Sequence, residues 1–380
     1  MTLYWRLSGL YLFYFAALGA MIPYIGLYLD GLGFTASEIG VLLALKLTAR
    51  IIAPNLAAWY SDHIGRRMVM VRLAALGCCV AFAGMWFGTG FAWLAFVLGA
   101  WAFFFSAMQP QMEATSLNHL GPQRYGSIRL WGSLGFIVSV AGLGPLLDRY
   151  GTETLLPVLL ALLFGAFVCS LLVPEKHHPV DAPAASGLFA VLRQPAVLAL
   201  FAVGLLAQFS HGPYYSFFSL YLEGHGYSRA LIGQLWALGV AAEIGVFMFM
   251  GRLLARFPSR VLLAWSLALS TLRWLLIAAF ADKMAALAFA QILHLASFGI
   301  FHAVSIGLVH RFFPGRLQGR GQALFSSLTF GAGTALGSLA AGYLWDGVAP
   351  AAVWIASAMS AAAALAVLAM TGQSRRKGAD

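Results

Sequence analysis

Six charged side chains interrupt apolar stretches of this sequence. The bases are Lys46, Arg50, Arg129 and Arg273, and the acids are Glu113 and Glu243. Charges within apolar helices usually face a cavity, a pathway or a charged partner rather than lipid. Because the bases outnumber the acids by two, the set favours an anionic ligand, with proton exchange at a carboxylate. The structural alternative is a set of ion pairs that only join neighbouring helices.

Glu113 and Arg129 lie on either side of the short turn from His119 to Gln123. With Gly121 as the centre of that turn, each charge is eight residues away and about 12 Å from the same helix end. The sequence therefore predicts that the two side chains lie at one depth and can pair. We interpret them as substrate-binding residues, with Arg129 holding a carboxylate. A purely structural ion pair is the alternative.

Glu243, Arg273 and His294 form a second predicted cluster. Glu243 lies fourteen residues before Phe257 and Arg273 sixteen after it, while His294 lies about twelve residues past Asp282. All three can therefore share one level of a helical bundle. An anion that competes for the arginine would change the proton affinity of the acid. We interpret the three as proton-coupling residues, against a static polar network as the alternative.

Six other side chains are candidate substrate contacts, and for most of them a purely structural role is the alternative. Lys46 and Arg50 are spaced i, i+4 on one helix face, with no acid in their own apolar stretch. A histidine beside Gly-Pro often packs or caps a helix, and most aromatic residues here will face lipid or core. The remaining four candidates are Gln208, His211, Trp131 and Trp236.

Composition identifies the environment of these residues. The chain has 380 residues, of which 61% are hydrophobic and 9% charged. In soluble domains, roughly a quarter of all residues are charged. Apolar segments of about twenty residues, each long enough to cross a bilayer, recur twelve times. They are 4–29, 37–60, 68–88, 91–118, 125–147, 153–173, 196–222, 229–250, 260–280, 284–310, 320–345 and 350–371.

The predicted fold is an all-α membrane protein with two pseudo-symmetric bundles of six transmembrane helices. The N-terminal bundle covers 1–173 and the C-terminal bundle 196–372. Between them lies a central loop with an interfacial segment, 174–195, and a basic tail follows at 373–380.

The positions of Lys and Arg predict the orientation. Sixteen of the 23 fall on one side of the membrane, three on the other and four within spans. Positive charge accumulates in cytoplasmic loops. Both termini and the central loop are therefore predicted to be cytoplasmic. The same asymmetry explains the net charge of +10 without any nucleic-acid partner.

An internal repeat supports the division into halves. The segment from Leu27 to Thr35 returns, with substitutions, from Leu220 to Ser228, at an offset of 193 residues. Duplicated six-helix units are typical of secondary transporters, which bind substrate near the midplane. The offset also aligns Arg50 with Glu243.

The connection after the second span reads Ser61-Asp62-His63-Ile64-Gly65-Arg66-Arg67. It resembles the signature loop of the major facilitator superfamily, in which the Asp and the Gly-Arg-Arg cap helix ends and latch the cytoplasmic face. With the twelve spans and the repeat, the resemblance covers the whole chain. It implies the fold of that superfamily and assigns Asp62, Gly65, Arg66 and Arg67 to a cytoplasmic latch.

A finer resemblance concerns the predicted site. Glu113-Ala114 and the segment from Tyr125 to Gly132 are similar to a hairpin of the lactose permease-like lineage, whose matching Glu and Arg bind substrate. The stretches around Glu243, Arg273 and His294 resemble the phenylpropionate permease group of that lineage. The lineage has a proton-transferring acid three residues after the histidine, where this chain has Ser297. That departure moves the predicted proton site to Glu243.

These observations predict a proton-coupled symporter of the bacterial inner membrane that takes up a small organic acid, such as an aromatic phenylpropanoate, by alternating access. Alternatives are a sugar or nucleoside symporter, a drug or metabolite exporter, and a transporter-derived sensor. No nucleophile motif, phosphate-binding loop or metal-ligand spacing is present, so we expect no enzyme activity and no cofactor beyond the proton gradient. The expected partners are substrate, protons and lipid, and the expected state is a monomer.

Overall fold

The structure is a computed structural model that describes residues 2–176 and 187–377. The side chains of Asp62, Pro122, Gln123, Arg316 and residues 372–377 lie outside the description. Helices account for nearly all of these residues, and the described ranges contain no β-strand. This agrees with the prediction of an all-α membrane protein, since helices satisfy their own backbone hydrogen bonds in lipid.

Within the described residues, twelve helices are long and apolar enough to cross a membrane, as predicted from the sequence. In chain order, α1 to α12 are Leu3–Gly31, Ala36–Ser61, Arg67–Trp86, Phe91–Gly121, Arg124–Tyr150, Thr152–Leu172, Pro195–Gly224, Arg229–Arg256, Ser259–Ala279, Met284–Phe312, Gln318–Gly347 and Pro350–Thr371. A short helix, Leu188–Leu192, precedes α7. Parts of the predicted central loop and basic tail, 177–186 and 378–380, lie outside the described residues.

The chain divides into two compact units. Unit 1 comprises Met1–Ala182 with Leu222–Ala237, and unit 2 comprises Pro183–Tyr221 with Leu238–Asp380. These units differ from the predicted halves in the segment 222–237, which joins α7 to α8 and belongs to unit 1. Both α7 and α8 therefore pass from one unit into the other.

Local sequence determines several helix ends. Thr35 and Glu38 form a capping box at the start of α2, in which each side chain accepts the other's backbone N–H. Gly65 ends the same helix with a φ of 66°, a left-handed conformation that glycine adopts at little cost. Gly121, with a φ of 73°, interrupts an otherwise continuous helix between α4 and α5. The predicted turn at Gly121 is therefore confirmed.

Corresponding helices of the two units make similar side-chain contacts, although the arginines involved are not matched by the offset of 193 residues. In unit 1, Arg72 of α3 donates hydrogen bonds to the carbonyls of Ser170 and Val173 at the end of α6. In unit 2, Arg260 of α9 donates to the carbonyls of Leu368 and Ala369 at the end of α12. Arginine is favourable at the end of α6, because the last carbonyls of a helix have no partner within the helix. The helix that contains Leu368 and Ala369 continues to Lys377, so this reason applies to Arg72 and not to Arg260.

Small residues let α7 and α11 approach closely in unit 2. A Cβ added at Gly337 would overlap the backbone of Phe209, and one at Gly212 would overlap the backbone of α11. The hydroxyls of Ser216 and Ser338 lie 2.5 Å apart across the contact. This is the close packing that small residues permit in membrane helices.

Two helices of unit 2 contain π-helical segments, Leu295–Ile300 in α10 and Ser327–Gly333 in α11. Such segments are rare and frequently occur at functional sites. Phe298 of the first and Phe330 of the second are in edge-to-face contact, with ring centroids 6.2 Å apart. The segment in α10 begins directly after His294.

Candidate functional site

Arg273 is the centre of a polar cluster in unit 2. It lies on α9, is fully buried, and donates from Nη1 to Nδ1 of His294 at 2.9 Å and to the Ser297 hydroxyl at 3.0 Å. Its Nη2 donates to Oε1 of Gln291 at 3.3 Å. Gln291, His294 and Ser297 recur every third residue, so α10 presents them to α9 on one face. Among the described residues, no carboxylate pairs with Arg273.

The bond from Arg273 determines the tautomer of His294. A guanidinium can only donate, so Nδ1 of His294 must be the acceptor, and a neutral ring carries its proton on Nε2. That nitrogen faces Oε2 of Glu243 at 3.6 Å. The predicted grouping of Glu243, Arg273 and His294 at one level is therefore seen in unit 2, and His294 lies between the acid and the base.

Two aromatic rings flank the guanidinium. The Cζ atom of Arg273 lies 4.2 Å from the ring centroid of Tyr214 and 4.5 Å from that of Trp274. Tyr214 also donates its hydroxyl proton to Oε1 of Gln291 at 2.9 Å. Trp274 donates from Nε1 to Ser210 at 3.2 Å. The arginine is thus held by neutral groups and by cation–π contacts, which leave its charge uncompensated.

Among the buried polar atoms that have no hydrogen-bond partner within the described protein, four belong to this cluster or to candidate site residues of α7. They are Nε of Arg273 and Nε2 of Gln208, His211 and Gln291. His211 donates from Nδ1 to the carbonyl of Ala207 at 2.9 Å, so its Nε2 carries a lone pair. Three donors and one acceptor are therefore unsatisfied. Buried polar groups are nearly always hydrogen-bonded, so these atoms point to a ligand or to water.

The predicted direct pair of Glu113 and Arg129 is not formed. Glu113 accepts a hydrogen bond from Nε2 of Gln109 at 3.0 Å. The guanidinium of Arg129 lies instead over the ring of Phe15, with 4.0 Å from Cζ to the centroid. Equal depth on two helices does not fix which way each side chain points around its helix, and this is why the prediction was wrong.

Glu113 and Arg129 nevertheless belong to one polar neighbourhood of unit 1. Both act electrostatically on Tyr11 and Tyr14 of α1, and Arg50 of α2 acts on Tyr14 as well. Both tyrosines are buried. The cluster thus combines bases, one acid and phenol groups within a single unit.

Lys46 and Arg50 occupy different environments although they share a helix face. Lys46 is buried, with 9% of its surface exposed, whereas Arg50 is exposed. Arg50 lies close enough to Lys46 for the two positive charges to repel each other. Their roles in substrate binding stay predictions.

Of the two candidate tryptophans, Trp131 has contacts within unit 1 that the structure describes. Trp131 donates from Nε1 to the hydroxyl of Tyr4 at 3.1 Å and packs edge-to-face on Trp5. Trp236 is buried within the segment of α8 that belongs to unit 1. The predicted roles of both residues in substrate binding stay predictions.

The predicted latch loop is described only in part, because the side chain of Asp62 lies outside the described residues. Gly65 ends α2, and the backbone N–H of Arg66 donates to the carbonyl of Ser61. Arg67 begins α3, and the next two N–H groups, of Met68 and Val69, donate to the carboxylate of Glu175. Sequence reasoning had missed Glu175 as the acid at this helix start.

From the sequence, the predicted proton-coupling group did not include Gln291, Tyr214 or Ser297. Gln291 and Ser297 could have been found, because they lie three residues before and after His294 on the same helix face. Tyr214 was visible only as one of several aromatic residues near Gly212-Pro213. Nothing in its spacing indicated a contact with Arg273.

A duplicated bundle of twelve membrane helices with buried polar clusters is the architecture of a secondary transporter. Comparison with known proteins agrees, because the model of the MFS_1 like family matches residues 4–356. The chain belongs to this family of the major facilitator superfamily and is a multi-pass membrane transporter.

Two relatives have 29% identity to the chain. One is the "Probable 3-phenylpropionic acid transporter" of Escherichia coli (strain K12), aligned over 362 residues, which are 92% of this chain and 93% of the relative. The other is the "Maltose permease" of Geobacillus stearothermophilus, aligned over 358 residues, 88% of this chain and 86% of the relative.

Solved structures share the fold at low sequence identity. The nucleoside transporter NupG (D323A mutant) has a TM-score of 0.85 and 18% identity over 97% of this chain and 100% of that chain. The POT family transporter PepTSo has a TM-score of 0.81 and 12% identity over 99% of this chain and 98% of that chain.

Proposed function

We propose that the chain is a proton-coupled symporter that takes up a small organic acid by alternating access. The observation that supports coupling is the hydrogen bond from Arg273 to Nδ1 of His294. While this bond exists, the lone pair of Nδ1 is occupied and His294 cannot take a second proton there. An anion that attracts Arg273 would free Nδ1, so anion and proton would favour each other's binding.

Glu243 is the other half of the proposed coupling group. Its carboxylate faces Nε2 of His294 at 3.6 Å. A doubly protonated His294 would be a cation next to that carboxylate, and the pair would share the incoming proton. Coupling therefore does not require an acid at Ser297, the position that carries one in the resembling lineage.

The charge of the buried clusters supports an anionic substrate. Arg273 is fully buried without a described carboxylate partner, and an unpaired buried cation is costly. In unit 1, Arg129 lies over the ring of Phe15 rather than on Glu113. We assign Arg129 as the carboxylate anchor. An aromatic monocarboxylate, of the kind named for the Escherichia coli relative, fits these features.

A neutral polyol or nucleoside is the second candidate substrate class. Two of the four unfilled polar atoms are amide groups, Nε2 of Gln208 and of Gln291. Amides suit the hydroxyls of a sugar as well as a carboxylate. The maltose permease relative also supports this alternative.

The remaining assignments are also proposals. Both termini would face the cytoplasm across a bacterial inner membrane, because the basic residues accumulate on their side. The working unit would be a monomer, and the proton gradient would supply the free energy.

Uptake by purified protein in proteoliposomes tests the proposal. We expect radiolabelled 3-phenylpropionate to accumulate when the lumen is made alkaline, and a protonophore to abolish accumulation while leaving exchange intact. Benzoate and cinnamate should compete, whereas maltose and uridine should not. Accumulation that does not depend on the pH gradient would contradict proton coupling. If maltose or uridine competes and the aromatic acids do not, the second substrate class is supported instead.

A further inference from the structure

The segment Leu222–Ala237, which joins α7 to α8, is held by a carboxylate from α5. Oδ1 of Asp148 accepts the backbone N–H of Arg229 at 2.9 Å, and Oδ2 accepts that of Ala230 at 2.9 Å. These are the first two N–H groups of α8, which have no partner within their own helix. A carboxylate is a strong acceptor at a helix N-terminus, where the helix dipole is positive.

The side chain of Arg229 completes the contact from the opposite direction. Its Nη1 donates to the carbonyl of Leu147 at 2.9 Å, and its Nε donates to Oε1 of Glu223 at 2.8 Å. Deeper in unit 1, the hydroxyl of Tyr24 donates to the carbonyl of Val140 at 2.6 Å. The carbonyl of Arg229 lies 3.4 Å from the same hydroxyl. Charged and neutral hydrogen bonds from unit 1 therefore meet at the first turn of α8.

Glycines make this approach possible on both sides. A Cβ at Gly144 of α5 would lie 2.5 Å from the carbonyl oxygen of Arg229. A Cβ at Gly233 of α8 would overlap the Tyr24 hydroxyl and the Val140 carbonyl. Gly142, two residues from Gly144, has nothing within 4 Å of an added Cβ. The close approach is therefore confined to the positions of Gly144 and Gly233 and is not a general property of these helices.

Comparison of the two repeats shows why Asp148 matters. In the first repeat, Thr35 and Glu38 cap α2 from within its own sequence. At the offset of 193, their counterparts are Ser228 and Leu231. The serine still accepts a hydrogen bond, from the N–H of Leu231 at 3.3 Å, but the acid of the capping box is lost. Asp148 supplies a carboxylate in its place, from 81 residues away.

A cap that comes from another helix exists only while the two segments touch. The capping box of α2 survives any movement of its helix, whereas α8 loses two hydrogen bonds whenever Leu222–Ala237 leaves α5. The contact lies at the end of the bundle opposite the termini, because the chain has crossed five times at the end of α5 and seven times at the end of α7. Alternating access requires one such end to open in each cycle.

We propose that Asp148, with Arg229 and the backbone N–H of Ala230, forms a clasp that holds this end closed and must break in every transport cycle. Asp148 is a positioning residue in this proposal, because it touches neither substrate nor the proton site. The proposal rests on membership of the transporter family and not on the substrate or on proton coupling.

Two readouts on purified protein in nanodiscs, neither of which measures transport, test the clasp. The first is hydrogen–deuterium exchange of the peptide that contains the amides of Arg229 and Ala230. The second is the rate at which a membrane-impermeant maleimide labels a cysteine at Ile232, a fully buried residue of the clasped segment. The native cysteines Cys78, Cys79 and Cys169 would first be replaced by serine.

The test compares Asp148→Ala and the milder Asp148→Asn with Arg149→Ala, a change at the exposed neighbouring charge. We expect Asp148→Ala to speed both exchange and labelling about ten-fold, since charge-assisted hydrogen bonds are lost. Asp148→Asn, which keeps one acceptor, should fall between it and the parent. If Asp148→Ala fails to give a single melting transition, Asp148→Asn carries the test.

A double variant separates a clasp from a simple helix cap. Leu231→Glu restores the acid of a capping box to α8 and should slow amide exchange in Asp148→Ala. The clasp predicts that cysteine labelling in the double variant stays fast. Labelling that returns to the parent rate would reduce Asp148 to a helix cap and overturn the proposal. Unchanged rates in Asp148→Ala, or equal increases in Arg149→Ala, would overturn it as well.

Discussion

Arg273 donates a hydrogen bond to Nδ1 of His294 at 2.9 Å, and the opposite ring nitrogen faces Glu243 at 3.6 Å. The imidazole therefore joins a base to an acid with both nitrogens engaged. A second proton on His294 must displace the hydrogen bond from Arg273 to Nδ1. This relationship leads to a direct test of coupling.

We expect His294→Gln to separate substrate binding from proton coupling. The glutamine Oε1 can still accept from Arg273, but an amide does not take up a proton at physiological pH. Binding of the organic acid should change by less than about three-fold, while accumulation driven by a pH gradient should be lost. Isothermal titration and proteoliposome uptake measure the two effects. Loss of binding together with uptake would contradict this prediction.

Ser297 offers a second test, because its hydroxyl accepts from Nη1 of Arg273 at 3.0 Å. Ser297→Glu would place a carboxylate beside the buried guanidinium, where it would form a permanent ion pair and compete with the substrate anion. We expect substrate affinity to fall about ten-fold or more. Ser297→Gln is the matched control, with nearly the same volume and no charge. Equal losses in both variants would indicate crowding rather than charge.

Arg129→Gln tests the carboxylate anchor of unit 1. Hydrogen bonds to charged groups contribute about 1.5–3 kcal/mol, so the affinity for the organic acid should fall by one to two orders of magnitude. The corresponding amide of the acid should bind the variant and the parent equally. Lys283→Gln, at an exposed residue, is the control. An unchanged affinity in Arg129→Gln would exclude this arginine as the anchor.

Gly337→Ala tests the close contact of α7 and α11. An added methyl group would overlap the backbone of Phe209, and overpacking of this kind typically costs about 1–3 kcal/mol. We expect a melting temperature several degrees lower. Gly307→Ala is the control, because an added Cβ there meets nothing within 4 Å. Alanine is the better helix former, so this variant should melt at or above the parent temperature.

Much of the fold and part of the site could be predicted from the sequence. Helix length in a bilayer is set by hydrophobic thickness, so the twelve spans were visible as apolar runs. The depth of Glu243, Arg273 and His294 followed from counting residues, since each residue adds a fixed rise. These quantities lie along the helix axis, and a linear sequence records them well.

What failed depends on direction around each helix and on contacts between distant segments. Glu113 and Arg129 share a depth, but Arg129 turns onto Phe15 because a guanidinium is also stabilised by an aromatic face. Asp148 was not among the residues predicted from the sequence to be functional. Its role depends on two backbone N–H groups of α8, which carry no sequence signal.

The π-helical segments of α10 and α11 have an evolutionary consequence. A π turn accommodates one residue more than an α turn. Loss of one residue within Leu295–Ile300 or Ser327–Gly333 can therefore be absorbed by a return to α geometry, without turning the rest of the helix. The same deletion in α9 would rotate Arg273 by about 100° relative to the residues before it. Among homologous chains, single-residue gaps in membrane spans should accordingly concentrate at these two segments.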